Sequence, residues 1–228
     1  MLQVHSFDNE AKGGDRPGYR QGKRSSRGCA KRTAGTYIAH SIDQDGAMRE
    51  FNREFKQIFR ETQRLLGKCE PNWTIAPIKI EGQNHPETIC NDVTKDVTVR
   101  VTVSTITYPE QRTYQLTHES VHCLSPRNRR DTLFFEEGLA NWYTLNHAAL
   151  SEAYRKEAES KLDPLLAKPY KIFCELKPTY ARVAALRKDC PGLDNATVDL
   201  IIKHFGAPPE LATKLVERLP KDRPTVMM

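Results

Sequence analysis

His118-Glu119-Ser120-Val121-His122 sets two imidazoles four residues apart, with a carboxylate beside the first. On a helix, positions i and i+4 share a face one turn apart, so both rings can reach one Zn²⁺ at about 2.0–2.1 Å. Glu119 lies about 100° around the helix, placed to face a water polarised by the metal without ligating the metal itself. Zinc acidifies such a water toward a pKa of about 7, and a nearby carboxylate takes its proton as the oxygen attacks a carbonyl. The same five residues could also be a helix whose histidines merely cap or pair with carboxylates. A third ligand decides between the two, because a catalytic zinc takes three protein ligands and keeps one position open.

Ser125 and Asn128 stand where the longer H-E-x-x-H-x-x-G-x-x-H pattern needs Gly and His, and the inverted H-x-x-E-H order is absent. The next helical segment carries Phe135-Glu136-Glu137-Gly138-Leu139-Ala140-Asn141-Trp142. Here the chain resembles the gluzincins, zinc peptidases whose third ligand is a Glu on the helix after H-E-x-x-H. Glu137-Gly138-Leu139-Ala140 is similar to the Glu-Gly-(Phe/Leu)-Ala run of their aminopeptidase branch, and Glu137-x-x-Ala140-Asn141 to the Glu-x-x-Ala-(Asp/Asn) form of others. The resemblance covers about residues 97–145. It implies a zincin-like fold and zinc-dependent hydrolysis of a peptide or protein substrate. His118, His122 and Glu137 would hold Zn²⁺, Glu119 would be the general base, and the Asn141 amide oxygen would accept the outer N–H of His118. Glu136 is the rival of Glu137. Adjacent helical positions point about 100° apart, and the Gly-Leu-Ala register selects Glu137. Gluzincins often use a Tyr or His to stabilise the oxyanion; Tyr143, Tyr154, Tyr170, Tyr180, His147 and His204 are candidates, and Tyr180 is selected. In that family an edge strand before the motif helix holds extended peptide by strand addition, and residues 97–105 are placed to do so.

These groups need elements to hold them. Met48, Phe51, Phe55, Ile58, Phe59 and Leu65 recur at three- and four-residue spacing, predicting a helix over 45–66 that Gly67 stops. Residues 73–80 read as a strand that Pro77 confines to an edge or bulge, and 82–92 as a loop. Val97, Val99, Val101 and Val103 alternate with polar residues as a half-buried strand does. Pro109 suits the first turn of a helix reaching about 124, where Pro126 enforces a stop. A basic loop with Arg127, Arg129 and Arg130 follows, and Asp131 is suited to cap a second helix to about 150. Further helices are expected near 152–161, 172–188, 194–205 and 208–219. The class is α+β, with a small sheet and a mostly helical carboxyl-terminal half.

Hydrophobic residues make up 38% and charged residues 28% of the 228, a balance that excludes a wholly disordered chain. Residues 1–32 hold eight Lys or Arg against three acids, so the charge belongs to the tail and the body is nearly neutral. Residues 1–35, low in apolar side chains, are expected to be a disordered basic tail, capable of weak polyanion contact, before a domain over 36–228 whose helical region starts near 151. The tail motivates a different reading: a nucleic-acid-associated regulatory protein with a structural or residual zinc site. No apolar run approaches the roughly 18 residues that span a bilayer, and no secretory pattern opens the chain. No membrane association and a cytoplasmic location are the resulting expectations. The six cysteines lack C-x-x-C pairing and read as free thiols, with Cys123 a small buried residue.

Overall fold

Helix α1 (Gln44–Leu66) forms where the apolar spacing predicts it, with Phe51, Phe55 and Ile58 buried. It stops at Gly67, whose φ of 106° is open to residues without a Cβ. The computed structural model describes residues 44–83, 85–127 and 132–220. The expected basic tail, Asn128, Arg129, Arg130 and the cap Asp131 all lie outside them.

The strand expected over 73–80 is two shorter ones, β1 (Thr74–Ile75) and β2 (Lys79–Glu81), divided at Pro77. The segment expected as loop contains β3 (Glu87–Asn91), which turns back into β4 (Asp96–Thr102). The Asn91 side chain accepts from the backbone N–H groups of Val93 and Thr94 in that turn. Both β1 and β2 pair parallel to β4, at Asp96–Val97 and at Arg100–Thr102. β3 pairs antiparallel with β4 across residues 96–100. A strand has two hydrogen-bonding edges, and these registers overlap, so β1 and β2 share one edge of β4 and β3 takes the other. β4 is therefore the centre of the sheet. The expectation that it is the edge strand is corrected: its two-sided pairing comes from β3.

After β4 a 3-10 turn (Val103–Ile106) leads to α2 (Pro109–His122), which Cys123 closes. Then come α3 (Phe134–Leu145), α4 (Glu152–Ser160), α5 (Pro164–Glu175), α6 (Tyr180–Asp189), α7 (Val198–Phe205) and α8 (Pro209–Leu215). Helix α3 begins later and ends sooner than expected, with Leu133 as its cap. The single helix expected over 172–188 is broken between α5 and α6, where Lys177 adopts a φ of 49° before Pro178. The class is α+β and mostly helical. No helix among the described residues is long and apolar enough to cross a membrane.

Two apolar cores form. One joins α1, α2 and the sheet through Phe51, Phe55, Val97, Val99, Val101, Leu116 and Cys123. The other joins α3 to α5–α8 and takes Val121 from the last turn of α2 and Leu124 from just beyond it. The second half of helix α2, buried from Gln115 to His122, is thus the seam between them. Residues 132–134 also pair with 217–219, tying the carboxyl-terminal helices to the start of α3.

Candidate metal centre

From Gln115 to His122 every residue of α2 is buried, yet only Leu116 and Val121 are apolar. Polar side chains taken out of water need partners, and most of these have one. Gln115 bonds the backbone and side chain of Thr102 on β4. Ser120 donates to the Thr117 carbonyl and lies 2.8 Å from Thr62 of α1. Glu119, fully buried, accepts a 2.6 Å hydrogen bond on Oε2 from Thr88 of β3.

The Thr117 hydroxyl is buried without a hydrogen-bond partner, and His118 and His122 lie one turn apart with their Nε2 atoms 3.3 Å from each other. Glu137 comes to them from the first turn of α3: Oε1 lies 3.2 Å from His118 Nε2, and Oε2 3.7 Å from His122 Nε2. These three residues form a buried group able to hold a metal ion. Three carboxylates (Glu119, Glu136 and Glu137) are buried around two imidazoles, an excess of negative charge that a divalent cation offsets. The residues fit a metal.

Glu136 has a separate place. Its Oε1 lies 2.7 Å from His122 Nδ1, the ring nitrogen facing away from His118. Burial disfavours a charge on His122, but the Glu136 hydrogen bond and the charges of Glu136, Glu137 and Glu119 outweigh it and raise the pKa. The sequence reading, which treats Glu136 and Glu137 as rivals, is thus incomplete: the structure uses both, on opposite nitrogens of one ring.

Asn141 sits on α3 as expected but not in the expected contact. Its Nδ2 donates to the Glu137 carbonyl at 3.0 Å, with Glu137 Oε1 at 3.5 Å, and its Oδ1 faces the Tyr114 hydroxyl at 3.4 Å. It braces Glu137, and His118 Nδ1 is buried without a hydrogen-bond partner. The reason is local: a bond from Asn to the carbonyl four residues back is available within its own helix.

Tyr180 packs against Trp142 and Tyr143, with ring centres 5.1 and 6.2 Å away, at the edge of the helical core. Its ring contacts are not with the histidines. Tyr114 is the tyrosine whose ring stacks on His118, at 6.5 Å, and Tyr154 of α4 lies 6.2 Å from Tyr114. Burial pushes the Tyr154 hydroxyl up to about 12. Among the other candidates, Tyr143 reaches Thr62, His204 pairs with Asp189, and Tyr170 reaches Glu159. His147, its pKa lowered by burial, lies 3.8 Å from Glu61.

Thr88 and Tyr114 are the site residues that sequence reasoning missed. The β-branched pair Thr88-Ile89, between Pro86 and Asp92, was the available signal for a strand. Cys123 is buried, with its thiol pKa raised well above normal by burial and then by the Glu119 charge. Arg127 binds Glu70 and Asp194, an ion-pair cluster below the end of α2.

At Gly138, the residue after Glu137, α3 comes close to α5. A Cβ there would lie 2.5 Å from Phe173 Cβ and 2.6 Å from the Pro169 carbonyl oxygen. No protein family, curated protein or solved structure matches this chain, so its character rests on these residues and their geometry.

Proposed function

We propose that the protein is a zinc-dependent peptidase of the gluzincin type. The triangle of His118, His122 and Glu137 carries this reading. The two Nε2 atoms lie 3.3 Å apart, close to the roughly 3.3–3.4 Å edge of a tetrahedron built on zinc–nitrogen bonds of about 2.0–2.1 Å, and Glu137 turns Oε1 to one of them at 3.2 Å and Oε2 to the other at 3.7 Å. Two imidazoles and a carboxylate suit zinc. Bound there, zinc would supply Lewis acidity toward a carbonyl and its attacking water.

The chain's own groups do the rest. Glu119 is the proton acceptor, and Thr88 fixes one carboxylate oxygen so that the group keeps one orientation. Glu136 orients the His122 ring, and Asn141 orients Glu137. Among the described strands β3 pairs with β4 alone. An extended peptide adding to its outer edge would run beside the strand that carries Thr88, and so alongside Glu119. A small sheet with an antiparallel outer strand, followed by the two ligand helices, supports a zincin-like fold.

The test is hydrolysis of a peptide library by wild type and Glu119→Gln. The variant should lose about 10²–10⁴-fold in turnover with its metal retained; full activity in the variant removes Glu119 from the chemistry.

A further inference from the structure

Helix α1 separates its charges by face. Arg49, Arg53, Lys56 and Arg60 recur at intervals of four, three and four, all exposed, and so form one stripe. The carboxylates lie elsewhere: Glu50 and Glu54 pair with Arg112 of α2, and Glu61 lies near His147 and Arg64. The acidic flank is therefore matched from within the fold. On the basic flank, Arg53, Lys56 and Arg60 make no ion pair or hydrogen bond among the described residues.

The stripe borders a groove of about 880 Å³ between α1 and the chain around β1. Met48, Phe59, Ile75 and Pro77 give it an apolar lining. From Arg49 to Arg60 it runs about 16 Å along the helix, the length of roughly five residues of extended peptide. This is the face of α1 turned away from α2, so the groove is independent of the metal centre.

We infer that this groove docks a peptide segment that is both acidic and amphipathic, its apolar side chains on the groove lining and its carboxylates against Arg53, Lys56 and Arg60. Charge complementarity selects the acid, and the lining selects the apolar side chains. A nucleic acid is the poorer fit, because single strands gain affinity by stacking bases on open aromatic faces. Phe55 is 3% exposed, and its ring is already stacked on Phe59 at 5.8 Å. The chain's own amino-terminal 32 residues, net +5, carry the same sign as the stripe and so do not complement it.

Fluorescence anisotropy on the full chain tests this with four probes. They are a labelled Glu/Leu amphipathic peptide, the same peptide with Ser for Leu, its Lys/Leu counterpart, and a single-stranded oligonucleotide of equal charge. The Glu/Leu peptide should bind, and binding should weaken at least about tenfold in the Arg53→Glu/Lys56→Glu/Arg60→Glu variant and with the Ser peptide. The Lys/Leu peptide should not bind. The milder Arg53→Gln/Lys56→Gln/Arg60→Gln variant should fall between, which separates charge from misfolding. Equal binding by the reversed variant, by the Ser peptide or by the oligonucleotide overturns the proposal, as does no binding of the Glu/Leu peptide by wild type.

Discussion

His122 is held from both sides: Glu136 Oε1 lies 2.7 Å from its Nδ1, while its Nε2 faces His118 and Glu137. A carboxylate on the outer nitrogen fixes the tautomer, leaving the lone pair of Nε2 toward the site, and makes that nitrogen more basic. Glu136→Gln keeps the shape and removes the charge. Metal affinity, measured by competition with a chelating dye, is expected to fall roughly ten- to a hundredfold. An unchanged affinity would show that Glu136 does not orient the ring.

Thr88 acts on Glu119 alone among the site carboxylates. Thr88→Val preserves the β-branched shape and deletes the hydroxyl that donates to Oε2. A hydrogen bond to a charged group contributes about 1.5–3 kcal/mol, so kcat should drop by roughly ten- to a hundredfold while metal content stays at the wild-type level. Loss of metal with loss of activity would mean that Thr88 supports the fold of the site rather than its base.

For the proposed hydrolysis, Tyr154 and Tyr180 are the alternative candidates for the oxyanion donor. With its pKa pushed up to about 12, the Tyr154 hydroxyl remains protonated, and so a donor, throughout the neutral range. It lies against Tyr114, which stacks on His118, whereas Tyr180 lies against Trp142 and Tyr143. Tyr154→Phe is therefore expected to lower kcat more than Tyr180→Phe, in steady-state hydrolysis of one peptide. The reverse order would restore Tyr180.

Gly138 allows α3 to press on α5. The contacts a Cβ would make, with Phe173 Cβ and the Pro169 carbonyl, are to atoms anchored in the backbone of α5 and have little room to yield. Gly138→Ala should destabilise the protein by about 1–3 kcal/mol through overpacking, read as a lower midpoint in urea unfolding. Unaltered stability would mean that the helices separate at little cost.

Local signals were readable in the sequence and non-local ones were not. Pro109 and the H-E-x-x-H spacing located α2, the alternating valines located β4, and the Gly-Leu-Ala register directed attention to Glu137. Thr88 was hidden because β3 is five residues long, and its place at the site depends on register with β4, a pairing no local pattern encodes. Glu137 is the one of the two carboxylates that joins the group able to hold a metal, and the role of Glu136 stays hidden in the sequence because it depends on the second nitrogen of an imidazole on another helix. Asn141 was placed on the correct helix, but its bond to the Glu137 carbonyl prevailed over a longer reach to His118.

His118, His122 and Glu137 are proposed to be one metal site. Zinc per chain, measured by elemental analysis after purification without added metal, for wild type and Glu137→Ala side by side, tests it most directly. Close to one zinc is expected in the wild type and far less in the variant, both folded by circular dichroism. A wild type that takes up no zinc even when it is supplied, or a variant that keeps its full complement, would contradict it.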